Sequence, residues 1–274
     1  MGSLDNKVVV ITGGTSGIGE VAARTLAGMG AQIVLVARDA GRARTTLRTL
    51  AGIGHASYLA NLALMSEVKR VAAFIASAQP RIDVLINNAG SMFAERQVTE
   101  EGLERTFATN HMAYFSMTHE LRGCFVTGTR IVCTASDVHR GATLDFDDLQ
   151  SSKHYSGLTV YGKSKLCNVL FTVELARRLL ETGVTANCLH PGVVATRFAS
   201  DGGDASVASF LRSGITPEES AKTIIYLASS PEVANVTGQY FYQSRPSTPS
   251  KEAQDQNAAA RLWVESARLA GLED

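Results

Sequence analysis

Tyr161 and Lys165 are the two side chains of this sequence whose spacing most directly suggests acid–base chemistry. They stand inside a helical pattern in which apolar residues recur at Leu166, Val169, Leu170, Val173, Ala176 and Leu180. Positions four apart share one face of a helix, so the phenol and the ammonium can approach each other. A free phenol, with a pKa of ~10, is a poor proton donor or acceptor near neutral pH. A neighbouring ammonium favours the phenolate and draws that pKa down, toward the range of general acid–base catalysis. An ordinary surface Tyr–Lys pair has the same spacing, and what separates the two readings is the rest of the chain.

The second chemical stretch is Thr12-Gly-Gly-Thr-Ser-Gly-Ile-Gly19. It follows the apolar run Lys7–Thr12, which suits a strand buried on both faces. It precedes a helical pattern through Val21, Ala22, Leu26 and Met29 that Gly30 stops. Strand, glycine-rich turn and helix place backbone N–H groups and a helix N-terminus where a pyrophosphate can sit. Gly13, Gly17 and Gly19 would permit the tight turn and the close approach of ligand and chain. The spacing is not the usual G-x-G-x-x-G, and a plain strand–helix turn is the competing reading, for which one glycine would suffice. A second strand, Ala31–Ala37, ends where a dinucleotide fold usually places the acid that holds the ribose of NAD. Ala37 and Arg38 stand there instead. An arginine pairs with a 2′-phosphate, and Thr15 and Ser16 could add hydroxyl contacts, so NADP(H) is expected in preference to NAD(H).

The elements that must position these residues alternate. Strands are predicted at His55–Leu59, Ile82 to Asn87, Arg130–Ser136, Val184–His190 and Gln239–Tyr242, with helices at Leu64–Ala78 and Thr99–Leu121. The Thr216-Pro-Glu-Glu219 capping box opens a helix to about Ser229. A polar link, Ser244–Lys251, leads to a last helix carrying Ala259, Leu262, Trp263 and Leu269. This order predicts an α/β fold: a single Rossmann-type doubly wound parallel sheet flanked by helices on both faces, one domain over 1–274. Asn88, Ala89 and Gly90 then fall at a strand's C-terminal end, where such sheets bind ligands. Asn110 falls in mid-helix, where a solvent-facing filler is the competing reading.

Composition excludes several classes. Lys plus Arg and Asp plus Glu balance at 26 each, which leaves no footprint for nucleic acid or an anionic membrane. Cys124, Cys133, Cys167 and Cys188 show no CxxC spacing and read as reduced packing residues of a cytoplasmic protein. The six histidines form no ligand-like cluster, so no metal is expected. No run approaches the ~18 apolar residues of a membrane span, and no signal peptide is seen.

Thr12-Gly-x-x-x-Gly-x-Gly19, Asn87-Asn-Ala-Gly90, Asn110, Ser136, Tyr161-x-x-x-Lys165 and Pro191-Gly192 occur in the order and spacing of the short-chain dehydrogenases/reductases, and the resemblance covers the whole chain. Thr109-Asn-His111, Phe146-Asp-Asp-Leu149, Ser164 to Phe171, Leu189 to Val194 and the tail around Trp263 resemble the retinol-dehydrogenase-like branch. That resemblance implies an NADP-linked alcohol dehydrogenase or carbonyl reductase acting on a small apolar substrate. It implies a tetrad of Asn110, Ser136, Tyr161 and Lys165. In it Ser136 hydrogen-bonds the substrate oxygen, Tyr161 transfers the proton, Lys165 lowers the tyrosine pKa and holds the nicotinamide ribose, and Asn110 fixes a water. It carries cofactor contacts onto Gly13, Thr15, Ser16, Gly17, Ile18, Gly19, Arg38, Asn61, Leu62, Asn88, Ala89, Gly90, Tyr161, Lys165, Pro191, Gly192, Val194 and Thr196. Asn61 stands where the family usually has Asp, and Cys-Thr-Ala-Ser136 where a Ser-Ser pair is common. Branch members often carry an N-terminal membrane anchor, which this sequence does not show, so a soluble carbonyl reductase is expected. Residues 140–158 and 197–213 would form a pocket insertion and a lid, with Met92 and Phe93 adding apolar surface. Residues 250–274 would form the C-terminal helix. The Thr99–Leu121 and Val160–Leu180 helices pair subunits in many relatives, so a homo-oligomer is open, as is cover by the C-terminal tail. The alternatives are a C=C (ene) reductase on the same fold and a non-catalytic NADP-binding sensor.

Overall fold

The computed structural model describes residues 3–194 and 214–272. Eight strands form one sheet: β1 (Val8–Thr12), β2 (Gln32–Ala37), β3 (Ala56–Leu59), β4 (Ile82–Asn87), β5 (Phe125–Thr134), β6 (Thr185–His190), β7 (Tyr240–Tyr242) and β8 (Arg245–Pro246). Their order is β3-β2-β1-β4-β5-β6-β7-β8. Pairing is parallel from β3 through β7, and only β8 runs antiparallel. The strand order reverses between β1 and β4, which opens a crevice at their C-terminal ends. The apolar runs read from the sequence are the central strands: Val9, Val10 and Ile11, like Ile82, Leu85 and Ile86, have no exposed surface.

Helices cover both faces, each over its own apolar core. On one face α1 (Gly17–Gly28) brings Ala22, Ala23 and Leu26 against the sheet. Beside it α7 (Pro217–Ser229) brings Ile224 and Leu227. Its start is capped as the sequence indicates, the Thr216 hydroxyl accepting from Glu219 N at 3.2 Å. Also described are α2 (Ala40–Thr49) and α3 (Met65–Ala78), the latter in the core of the other face.

The expected long helix over 99–121 is broken. Val98 and Glu104 form a β-bridge instead, with Gly102 at φ +81° between them. The helix starts only at α4 (Arg105–Phe107), capped by the buried Glu104 carboxylate on Thr106 N and Phe107 N at 2.8 and 2.7 Å. It then widens into a π-turn, Ala108–Met112, before α5 (Ala113–Leu121). Next to it lies α6 (Gly157–Arg178).

The final helix, α8 (Gln256–Ala270), lies on α6. Trp263 stacks on Phe171 at 5.9 Å, meets Phe115 edge-on at 4.9 Å and takes the Arg178 guanidinium over its ring at 4.4 Å. Below it, Ser266 Oγ and the ring Nε2 of wholly buried His111 are 2.7 Å apart. Among the described residues no helix is long and apolar enough to cross a membrane, and no group of His, Cys, Asp and Glu could hold a metal ion.

Candidate active site

Ser136 leaves β5 two residues past its end and caps a 3-10 turn, Asp137–Gly141, with Ser136 Oγ facing Val138 N at 3.4 Å. The start of α6 is pinned from outside. A Cβ on Gly157 would meet Phe93 O at 2.5 Å, so only glycine lets the helix begin against the turn that follows β4. Tyr161 and Lys165 fall in its first turns. The Ser136 side chain is near enough to the Tyr161 phenol to draw its pKa down against burial. Lys165 Nζ donates to Thr134 O at 2.9 Å and lies 5.5 Å from the centre of the Tyr161 ring.

Asn110 joins them from the π-turn and is wholly buried, not a solvent-facing filler. Its Oδ1 accepts from Ser91 N at 2.8 Å, and its Nδ2 donates to Ser91 O and Ser164 Oγ, both at 2.9 Å. The Ser164 hydroxyl in turn donates to Tyr161 O at 2.7 Å. Asn110 thus spends its side chain on the turn after β4 and on α6. Gly90 marks the point of convergence: a Cβ there would lie 3.3 Å from Asn110 Oδ1 and 3.4 Å from Lys165 Nζ. Two further residues join the site that the sequence does not assign to it: Ser164, there only part of a family-like stretch, and Tyr114, buried under the Lys165 ammonium at 5.8 Å. Their signals were helical spacing alone, Ser164 three residues after Tyr161 and Tyr114 four after Asn110.

Burial dominates the electrostatics. It lowers Lys165 to about 7, a nearby Cys133 opposing slightly. It raises Tyr161 well above the ordinary phenol value, with the Ser136 hydroxyl pulling the other way. The sequence suggests a depressed tyrosine; in the protein alone the direction is upward. Desolvation penalises both charged forms, and a lysine that is only partly protonated at neutral pH exerts little field on its neighbour. Tyr161 keeps some surface, so solvent moderates this shift more than that of Lys165, which is 2 % exposed.

The other half of the site is glycine and main chain pinned by two side chains, Thr12 and Asn88. Thr12 Oγ1 accepts from Asn88 N at 2.9 Å and Ala89 N at 3.1 Å, binding the β1 and β4 turns together. Asn88 Nδ2 donates to Thr12 O and Gly13 O at 3.1 and 3.3 Å. Gly13 has φ +69°, and a Cβ on it would meet Ala89 Cα at 2.9 Å. A Cβ on Gly19 would strike the Gly13 carbonyl and the Asn88 amide. Ser16 is the N-cap of α1, and its side chain makes no capping bond to the first-turn amides of Gly17, Ile18 and Gly19. Gly13 N donates to Val36 O, which brings the turn carrying Thr15 and Ser16 to the end of β2. There Arg38 is exposed, and Asp39 is committed elsewhere, capping α2 through Arg42 N at 2.7 Å. An uncapped helix start, a glycine turn and an exposed guanidinium at one strand end fit a phosphorylated dinucleotide.

Asn61 accepts from Ala63 N at 3.2 Å in the turn after β3, and Leu62 beside it packs on the core. Pro191 O accepts from Ser220 Oγ at 2.6 Å, Gly192 has φ +87°, and Val194 bridges Ile215. Thr196 and the 197–213 segment lie outside the described residues. In the insertion, Phe146 lies under the Arg261 guanidinium at 4.4 Å, and Tyr155 OH donates to Phe93 O at 2.9 Å. Met92 and Phe93 are buried, Phe93 beneath Arg105. A crevice of about 10 Å³ under the insertion is lined by Leu144, Asp148, Leu149 and Ser164 but by neither Ser136 nor Tyr161. It is too small for a substrate.

A family model described as short chain dehydrogenase matches residues 7–205. Retinol dehydrogenase 13 of Homo sapiens is 37% identical over 287 residues, covering 99% of this chain and 86% of its own. A protein of Streptomyces sp. (strain C5), proposed by its name to be the daunorubicin C-13 ketoreductase DnrU, is 37% identical, covering 98% of this chain and 94% of its own. A short-chain dehydrogenase from Burkholderia cenocepacia J2315, solved in complex with NADP, shares the fold with a TM-score of 0.69 at 24% identity, covering 92% of this chain and 100% of that one.

Proposed function

We propose, on the premise that this chain belongs to the short-chain dehydrogenase family, that it interconverts an alcohol and a carbonyl on an apolar substrate with NADP(H), using Tyr161 as the acid/base. The observation that carries this reading is the convergence of Ser136, Tyr161, Lys165 and Asn110 beside the glycine-rich turn. When bound, NADP(H) supplies the hydride. Ser136 donates a hydrogen bond to the substrate oxygen, and Tyr161 gives that oxygen a proton in reduction or takes one in oxidation. A phenolate forming next to Lys165 raises the lysine's proton affinity, and a protonated lysine eases loss of the phenol proton. The two therefore titrate as one coupled pair, which lets a buried tyrosine work near neutral pH. Arg38, with Thr15 and Ser16, would hold the 2′-phosphate.

The substrate class follows from the rim. Val138 and Leu158 are 38% and 54% exposed: Val138 lies against Gly162, next to the tyrosine in sequence, and Leu158 is three residues before it. Exposed aliphatic side chains near Tyr161 along the chain and beside Gly162 support an apolar substrate. The relatives named for retinol and for a daunorubicin ketone support one alcohol and one carbonyl. Four free, buried cysteines suit a reducing cytoplasm. The test is a panel of aldehydes, ketones and secondary alcohols read by nicotinamide absorbance with each cofactor, followed by product analysis. No turnover of any carbonyl or alcohol, or a product reduced at C=C, would overturn the proposal.

A further inference from the structure

Three residues past Ser136, His139 is wholly buried and uses both ring nitrogens on partners whose roles are fixed. The Ser250 backbone N–H can only donate, and it meets Nε2 at 3.0 Å, so Nε2 carries no proton. The Ser136 carbonyl can only accept, and it lies 2.6 Å from Nδ1, so Nδ1 carries the hydrogen. The same carbonyl takes the His139 backbone N–H at 3.1 Å. The Tyr240 ring stands edge-on to the imidazole at 5.1 Å while its hydroxyl donates to Asp137 Oδ1 at 2.9 Å, and Arg140 Nε donates to the same oxygen at 2.8 Å. Burial lowers the His139 pKa; the hydrogen bond to the Ser136 carbonyl opposes this most, Arg140 adds to the lowering, and Asp137 and Glu252 oppose it. Ser250 caps the turn Glu252–Gln254 through Ala253 N at 3.3 Å, and that turn leads into α8.

We infer that His139, held as its Nδ1–H tautomer between the Ser250 amide and the Ser136 carbonyl, is a positioning residue that fixes the backbone of Ser136 from the C-terminal segment. The inference rests on the proposed role of Ser136. A hydroxyl that must meet a substrate oxygen within a few tenths of an ångström needs its main chain held. On either side of Ser136, Ala135 N is tied to Leu189 O at 2.8 Å and Asp137 N to His190 Nδ1 at 3.2 Å, while the Ser136 carbonyl itself is held by the His139 backbone and ring. A buried imidazole with one donor and one acceptor does this without introducing charge.

Two variants separate the two nitrogens. Asn places an amide N–H where Nδ1 stands, and Gln places a polar group where Nε2 stands. His139→Asn should keep turnover within about threefold of the native protein. His139→Gln should lower kcat about tenfold, the scale of one lost hydrogen bond to a buried carbonyl, with the cofactor KM unchanged. Ser136→Ala is the reference and should lose more than either. Long-range proton–nitrogen spectra of histidine-labelled native protein should show the ring in contact with Tyr240 as the Nδ1–H tautomer, a readout independent of how the variants fold. Equal turnover in the two His139 variants, or an Nε2–H tautomer, would overturn the inference while a strong loss in Ser136→Ala leaves the site reading standing. Near-normal turnover of Ser136→Ala would overturn both.

Discussion

The two walls of the site are built on opposite principles. Around β1 and β4 the wall is glycine and main chain, Gly13 and Gly19 leaving almost no room for an added atom, pinned by two side chains, the Thr12 hydroxyl and the Asn88 amide. Around β5 and α6 it is held by polar side chains, the buried Ser136, Ser164, Lys165 and Asn110 with the half-buried Tyr161, through bonds such as Asn110 to Ser164 and Lys165 to the Thr134 carbonyl. A wall of backbone fails by collision; a wall of side chains fails by losing a donor, an acceptor or a charge. The first should therefore control how tightly a dinucleotide binds, and the second how fast a bound substrate reacts.

The largest effect belongs to the side-chain wall. Tyr161→Phe keeps the packing and removes only the hydroxyl, so kcat should fall at least ~100-fold while cofactor affinity hardly moves. Stopped turnover with intact cofactor titration is the expected pair of results, and near-normal turnover would remove Tyr161 from its role. Next comes cofactor choice. With Ala37 and Arg38 at the end of β2, NADP should bind roughly 10- to 100-fold more tightly than NAD, the worth of one charge-assisted pair. Ala37→Asp with Arg38→Ala adds an acceptor, repels the phosphate and should reverse the order. Equal affinities in the native protein would sink this assignment.

A smaller effect tests the backbone wall. The Cβ of Gly19→Ala has to displace α1 from the Gly13 carbonyl, so cofactor affinity should drop about tenfold with kcat at saturation unchanged. A change in kcat alone would erase the distinction between the walls. The smallest effect is thermodynamic. Lys165 sits at about 7 in the folded protein, below the ordinary lysine value of 10.5. Between those values the unfolded chain holds a proton that the folded one has released. Stability therefore rises with pH across that window, by at most ~1.4 kcal/mol per unit, and the full cost of burying the ammonium is felt below it. Lys165→Met should be relatively more stable near pH 6, its advantage shrinking toward pH 9 in urea unfolding curves. A constant difference would show that the ammonium is not desolvated.

The sheet was legible because its strands are continuous apolar runs, and Tyr161, Lys165 and the glycine turn because their spacing is itself chemical. Three features were hidden for physical reasons. The helix α2 buries only Ala43 and Thr46, so it has almost no apolar periodicity, and its one signal is the capping Asp39, which reads equally well as a cofactor acid. The π-turn at Asn110 leaves no mark in composition, because it answers to what Asn110 must reach: Ser91 and Ser164. The direction of the Tyr161 shift depends on how deeply the pair sits, and helical spacing says nothing of depth.

The docking of α8 has a consequence for dilution. Of the two helical segments that the family resemblance connects with subunit pairing, α6 packs against the chain's own Trp263 and the π-turn before α5 meets Ser266 through His111. A tethered helix is present at an effective concentration that a free partner reaches only in the millimolar range, so this cover does not depend on how much protein is present. The turn Glu252–Gln254 that begins this tail is also where Ser250 meets His139, so the same tether reaches the carbonyl of Ser136. Specific activity should then stay constant as the protein is diluted through the range in which two-chain sites come apart.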